Sequence, residues 1–166
     1  MINPVPEWER RMADLWAAFD DHEPEAFLAE VEELTGELPP GDAVGEYELA
    51  SAHDSIGNEA AAAEHYQRAF AAGLPESRRR QATIQYASTL RNLGRADESV
   101  ALLTAEREAG SDDLDDAVTA FLALALTDVG REREAAGLAL GALSRHLPRY
   151  NRSLSNYAKA LLDIQA

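Results

Sequence analysis

Three segments of the sequence repeat one order of small residues, large residues and a glycine. They read LASAHDSIGNEAAAAEHYQRA at residues 49–69, YASTLRNLGRADESVALLTAE at 86–106 and LALALTDVGREREAAGLALGA at 122–142. Aligned without a gap, they share Gly57, Gly94 and Gly130, which lie 37 and 36 residues apart. Each glycine follows an apolar helical stretch. We therefore expect each to end a helix in the left-handed conformation that other residues avoid.

Small residues recur at fixed distances from these glycines. The positions seven residues before and five residues after them hold Ala50, Ala87, Ala123, Ala62, Ser99 and Ala135. Twelve residues after the glycines stand Ala69, Glu106 and Ala142, so that Glu106 departs from the pattern. Small residues at fixed places let two helices cross closely. The spacing predicts three antiparallel helical hairpins, which stack because one hairpin cannot bury its apolar face alone.

The joint pattern resembles the tetratricopeptide repeat, which has a large-small pair in its first helix and a turn glycine before its second. The pairs here are Leu49-Ala50, Tyr86-Ala87 and Leu122-Ala123. The chain departs from the family where an early tryptophan is expected, and the closing proline is shifted or missing. Glu46, Thr83 and Thr119 occupy the tryptophan positions. The resemblance is to short, stand-alone bacterial proteins of this class. It implies an all-α fold: a right-handed superhelical stack of antiparallel helical hairpins, an α-solenoid of about nine helices.

We predict one domain over residues 1–166. Its parts are a degenerate opening helix pair (1–41), three repeats (42–75, 76–112 and 113–148) and a capping helix (149–166). The opening pair carries two apolar stripes at helical spacing, which we assign to the core. These stripes are Trp8, Met12, Leu15, Trp16 and Phe19, followed by Phe27, Val31 and Leu34.

The charge of the chain is placed unevenly. The net charge is −15, and residues 1–64 hold 17 acidic and 2 basic residues, so the whole excess lies there. An acidic surface of this strength repels nucleic acid and anionic lipid, so we expect neither as a partner. The acidic half is either a solvated surface or a docking face. With no cysteine, no signal-peptide pattern and no membrane-spanning stretch, we expect a cytoplasmic protein.

The motifs that carry enzyme chemistry are missing from the sequence. Neither a nucleophile elbow nor a glycine-rich phosphate loop occurs, and the four histidines are not spaced for metal binding. His53 is expected in the core and His65 in solvent. Asp112, Asp113, Asp115 and Asp116 follow Ser111 where a helix should start, and capping explains them. We expect no enzyme activity, no catalytic residue, no metal and no cofactor.

The family resemblance implies that certain positions of each first helix face a concave groove. On these positions we predict a groove for a protein or peptide segment, with an acidic partner as one option. The predicted groove residues are Tyr47, Ser51, Gln81, Gln85, Ser88, Arg91, Asn92, Phe121, Arg152, Asn156 and Lys159. The implied positions also include Leu124 and Asp128. A clamp for a peptide's terminal carboxylate, known in some members, is not reproduced, because Tyr47, Gln85 and Phe121 stand in its place.

The predicted function is a non-catalytic adaptor or scaffold that binds through this groove. Two alternatives stay open. One is a self-assembling, homo-oligomeric structural protein, which an exposed part of the aromatic N-terminal helix would support. The other is a regulatory subunit of a larger complex.

Overall fold

A computed structural model describes residues 4–163 of the chain, and the side chains of residues 6–163. Within that range the regular elements are nine α-helices and one short 3-10 helix at Phe19–Asp21, without a strand. The α-helices are α1 Pro4–Ala17, α2 Pro24–Thr35, α3 Ala43–Ser55, α4 Glu59–Ala71, α5 Glu76–Asn92, α6 Ala96–Ala109, α7 Asp115–Asp128, α8 Glu132–Ser144 and α9 Asn151–Leu162. The all-α class and the number of about nine helices are confirmed.

The chain divides into two compact units, Met1–Arg79 and Arg80–Ala166, with the boundary inside α5. We call them the N-terminal and the C-terminal unit. The predicted repeats 42–75, 76–112 and 113–148 each contain one pair of consecutive helices. Their boundaries stay a prediction. No helix among residues 4–163 has the length and apolar character to cross a bilayer.

The core of the N-terminal unit is built on the two predicted apolar stripes. Trp8, Met12 and Leu15 of α1 are buried with Phe27 and Val31 of α2, and Trp16 packs partly buried against them. The Trp8 indole donates a hydrogen bond to the main-chain oxygen of Leu34 at 2.7 Å, which satisfies its polar atom inside the core. The assignment of both stripes to the core is confirmed.

The C-terminal unit has its own apolar core. Leu103 of α6 and Leu122 of α7 are almost completely buried there beside the small residues of the repeat. Ala87 is fully buried, and Ser99 and Ala135 are nearly so. Small side chains at these places allow the helices to approach closely, as the spacing predicts.

The three repeat glycines end their helices in the same way. Gly57, Gly94 and Gly130 have φ values of 81°, 76° and 76°. The amide of the next residue donates to the carbonyl five residues earlier in each turn, over 2.8, 2.8 and 2.9 Å. This arrangement closes a helix around a left-handed residue. The predicted left-handed turn is therefore confirmed at all three positions.

The prediction for His65 is wrong. Its side chain is only 18% exposed, and Nδ1 lies 2.7 Å from Oε2 of Glu46. Its ring stacks on that of His53, with centroids 5.3 Å apart and planes 10° from parallel. The carboxylate of Glu46 and the ring of His53, both on α3, hold the His65 side chain against the protein. The periodicity of α4 alone does not reveal these partners on another helix.

Candidate functional site

A row of polar side chains follows one face of α5 in the C-terminal unit. Gln81, Gln85, Ser88 and Asn92 are spaced by four, three and four residues, which places them on the same side of a helix. Gln81 and Asn92 are exposed, and Gln85 and Ser88 are half-buried. The row offers amide and hydroxyl groups that both donate and accept hydrogen bonds.

Helix α7 contributes an apolar anchor. Leu124 is 45% exposed, although the opposite face of its helix is part of the core. One turn earlier, Phe121 is half-buried and packs against the core of the unit. Phe121 packs against the core, and Leu124 is exposed beside it, so the two residues present an apolar surface to solvent.

An ion pair connects the two helices. Nε of Arg91 on α5 contacts Oδ2 of Asp128 on α7, and the two side chains are 27% and 37% exposed. Such partial burial fixes the guanidinium but leaves some of its donors facing outward. We call this surface the α5–α7 face. It comprises Gln81, Gln85, Ser88, Arg91, Asn92, Phe121, Leu124 and Asp128.

Two predicted groove residues in the N-terminal unit are not accessible. Tyr47 and Ser51 are each only 5% exposed. The Tyr47 ring lies near that of Tyr66, with centroids 6.5 Å apart, because a large apolar ring gains more from this contact than from water. This corrects the expectation that both side chains face a ligand.

The predicted residues of α9 have two different surroundings. Arg152 and Asn156 are exposed. Lys159 is also exposed, but it lines a cleft with Arg107, Arg145 and residues of α8. Sequence reasoning missed Arg107 and Arg145, since they come from two other helices and no local pattern joins them to Lys159.

The basic stretch Arg78-Arg79-Arg80 does not supply free positive charge. Arg78 contacts the carboxylate of Glu9, and Arg79 contacts that of Glu76 at 3.1 Å. Arg80 is buried, with its side chain 9% exposed, and it contacts carboxylates of the C-terminal unit. All three guanidinium groups are therefore paired with carboxylates.

A family model described as "Tetratrico peptide repeat" matches residues 43–161, which is most of the chain. The chain belongs to the tetratricopeptide repeat family. Tetratricopeptide repeats generally mediate protein–protein interactions, and proteins built from them are typically non-catalytic binding modules. No curated protein and no solved structure matches the chain.

The tetratricopeptide repeat match begins at α3 and runs to the end of α9, so it includes the three glycine turns and the whole α5–α7 face. Over the described side chains, no group of three histidine, aspartate or glutamate residues is arranged to hold a metal ion. The chemistry that the α5–α7 face offers is hydrogen bonding, one apolar anchor and a charged pair.

Proposed function

We propose that this protein is a non-catalytic adaptor that binds a protein or peptide segment on its α5–α7 face. The observation that carries the proposal is the exposed Leu124, one helical turn before Asp128, whose ion pair with Arg91 connects α7 to the helix that carries the polar row. An exposed apolar side chain beside a half-buried aromatic ring and an ion pair can serve as the anchor of a bound segment.

The row on α5 suits the main chain of a bound segment. Peptide N–H and C=O groups need partners when a partner protein covers them. Asn92 can supply both a donor and an acceptor, and Ser88 can rotate its hydroxyl to either role, whereas the Oε1 atom of Gln85 is buried. These contacts give affinity that depends little on the sequence of the segment.

Leu124 and the Arg91–Asp128 pair would provide selectivity. An apolar side chain of the segment would cover Leu124 and the exposed edge of Phe121. The outward donors of Arg91 would select an acceptor at a fixed distance from that anchor. Arg152 and Asn156 of α9 extend the proposal, whereas Tyr47 and Ser51 are left out because they are buried. A cytoplasmic location is part of the same proposal.

The test uses peptides selected for binding to the intact protein from a random displayed library. Their affinities would be measured by fluorescence anisotropy for the wild type, Leu124→Glu and Leu143→Glu. Leu143 is the matched control because it is an equally exposed leucine (49%) on α8. Leu124→Glu should weaken binding about tenfold or more, since a carboxylate replaces the apolar anchor. Leu143→Glu should leave it unchanged.

Two results would overturn the adaptor proposal. In the first, Leu124→Glu binds the selected peptides as tightly as the wild type does, which would place the binding outside the α5–α7 face. In the second, the library yields no ligand for this protein while it yields ligands for an unrelated peptide-binding domain. Circular dichroism of each variant checks that the helices are retained.

Self-assembly is the second candidate, and a different surface favours it. The aromatic side chains of α1 are part of the core, so they do not support self-assembly. Tyr150 and Tyr157, at the start of α9 and within it, are 77% and 70% exposed. Tyr150 is the residue before α9 and has a left-handed backbone (φ 64°), and Tyr157 lies inside the helix. Sedimentation of the wild type and of a Tyr150→Ser, Tyr157→Ser variant tests this. A monomer at all concentrations rejects self-assembly, and an oligomer lost in the variant supports it.

A further inference from the structure

A cleft between α8 and α9 in the C-terminal unit is lined by positively charged side chains and by an exposed leucine. Its volume is about 350 Å³. We call it the α8–α9 cleft, and its principal lining residues are Arg107, Gly137, Gly141, Arg145, Lys159 and Leu162. Arg107 and Lys159 lie in the last turns of α6 and α9, and Arg145 is the residue that follows α8. None of these residues belongs to the α5–α7 face, so the inference is independent of the adaptor site.

The charge of the cleft is opposite to that of the protein. The chain has twice as many acidic as basic residues, 30 against 15. Nevertheless the residues that line the cleft include three cations and no aspartate or glutamate. Low-dielectric walls concentrate the field of charges in a concave site, so this arrangement attracts an anionic group.

Two of the three cations are free to meet a ligand. In the described part of the chain, neither Arg107 nor Lys159 makes an ion pair or a side-chain hydrogen bond, and both are exposed. Arg145 contacts Asp116, whose Oδ2 also accepts a hydrogen bond from His146 Nε2 at 2.7 Å. Arg145 thus has a partly neutralised charge, and Arg107 and Lys159 carry most of the attraction.

The floor of the cleft is formed where α9 packs on two glycines of α8, and Gly137 is buried by that packing. A Cβ atom on Gly137 would lie 2.7 Å from Cδ2 of Leu162 and 3.1 Å from the main-chain oxygen of Ala158, so α8 and α9 approach closely there. Gly141 lies one turn further along α8. Leu162 borders this floor and is 41% exposed. The cleft therefore has an exposed apolar residue, Leu162, among the same lining residues as Arg107 and Lys159.

We propose that the α8–α9 cleft is a second docking surface, which takes an acidic segment of a protein partner. The segment has a carboxylate next to an apolar side chain. The carboxylate lies between Arg107 and Lys159, where two charge-assisted contacts are available. The apolar side chain covers Leu162, which removes apolar surface from water. A segment with amides in place of carboxylates lacks the first interaction.

The experiment compares two labelled peptides by fluorescence anisotropy. One has a Glu-Leu-Asp-Leu-Glu core, and the other has Gln-Leu-Asn-Leu-Gln. We expect saturable binding of the acidic peptide only. Arg107→Glu, Lys159→Glu should weaken it about tenfold or more, while Arg131→Glu, Arg133→Glu should not. The control pair changes the net charge by the same amount at exposed positions of α8 and its preceding turn. Leu124→Glu should also leave binding unchanged, which separates this site from the α5–α7 face.

Four outcomes would overturn the proposal. Equal binding of both peptides would remove the role of the carboxylates. Equal loss in both charge variants would show that only net charge matters. Displacement of the peptide by inorganic phosphate at equal concentration would indicate a site for small anions. Self-association of the unlabelled protein that Arg107→Glu, Lys159→Glu abolishes would make the acidic half of a second copy the occupant. Circular dichroism checks that each variant is folded.

Discussion

Arg80 and Glu106 form an ion pair inside the C-terminal unit, with Nη1 of the guanidinium 3.2 Å from Oε1 of the carboxylate. Their side chains are only 9% and 5% exposed. Glu106 occupies the position that alanine holds in the other two repeats. Arg80 also contacts Asp112 at 2.9 Å and Asp115 at 2.7 Å. Glu106 is tolerated at this small-residue position because the buried guanidinium of Arg80 forms an ion pair with its carboxylate.

Removal of Arg80 should therefore be costly. We expect Arg80→Met to lower the free energy of unfolding by about 3 kcal/mol, because it leaves Glu106 buried without its charge partner. Urea unfolding followed by circular dichroism measures this. Arg79→Met is the matched control: Arg79 is 37% exposed and its ion pair lies at the surface. That variant should change stability by no more than about 0.5 kcal/mol.

The coupling between the two residues is a separate prediction. Glu106→Ala restores the small residue of the repeat, and in the Arg80→Met background it removes the unpartnered charge. The double variant should thus be more stable than the sum of the single effects predicts. Strict additivity in the double-mutant cycle would show that the two charges do not depend on one another.

Glu48 of α3 is a buried carboxylate in the N-terminal unit. Burial raises its pKa, against the opposing effects of the Trp16 indole, which donates a hydrogen bond to it at 2.8 Å, and of Arg78. A raised pKa means that the folded state holds the proton more tightly. Stability therefore falls as the pH rises above the unfolded value of 4.5.

Glu48→Gln should raise the free energy of unfolding at neutral pH by more than about 0.5 kcal/mol. Glutamine keeps an acceptor for the Trp16 indole and removes the buried charge. Urea unfolding at neutral and at mildly acidic pH gives the comparison, and the gain should shrink in acid. Glu33→Gln, at an exposed position of α2, is the control and should be neutral. A loss of stability at neutral pH in Glu48→Gln would contradict the argument.

His53 has the opposite pH dependence. Burial, followed by the charge of the stacked His65, lowers the pKa of His53 below its usual value of 6.5. The folded state then binds fewer protons than the unfolded state. Stability from this group is therefore lost as the pH falls below about 6.5. His53→Gln should reduce the loss of stability between neutral pH and about pH 5.5.

Two measurements check the His53 prediction. Urea unfolding at neutral pH and at about pH 5.5 gives the slope of the unfolding free energy against pH for the wild type and for His53→Gln. A nuclear magnetic resonance titration gives the pKa of His53 directly. Equal slopes for the two proteins, or a His53 midpoint above 6.5, would refute the assignment.

The turns could be predicted from sequence because their chemistry is local. Gly57, Gly94 and Gly130 need only the few residues before them to form the left-handed closure that the structure has. The apolar stripes of α1 and α2 were predictable for the same reason, since periodicity along one helix defines a buried face.

The side-chain partners were not predictable, because they lie far apart in the sequence. Arg80 and Glu106 are 26 residues apart, and His65 and Glu46 are 19 apart. The position of Tyr47 along α3 predicts that it faces the groove. Its ring instead packs beside that of Tyr66, and helix position alone does not show such a contact. The α8–α9 cleft needs cations from three helices, which no single pattern joins.

The two glycines of the α8–α9 cleft should respond differently to alanine. At Gly141 the added Cβ would lie 3.8 Å from Cβ of Ala158, an ordinary contact. Gly141→Ala should therefore raise the free energy of unfolding by about 0.5–1 kcal/mol, because alanine is the better helix residue. At Gly137 the same atom would lie 2.7 Å from the Leu162 side chain and 3.1 Å from a main-chain oxygen.

Leu162 is partly exposed and can rotate away from a new Cβ at Gly137, but the carbonyl of Ala158 moves only if α9 moves with it. Gly137→Ala should therefore not show the increase in unfolding free energy expected for Gly141→Ala. The amides of α9 should also exchange faster with solvent in this variant. Urea unfolding and hydrogen exchange of both variants measure the two effects. If Gly137→Ala were as stabilising as Gly141→Ala, with α9 equally protected, then the close approach of α8 and α9 would not constrain this position.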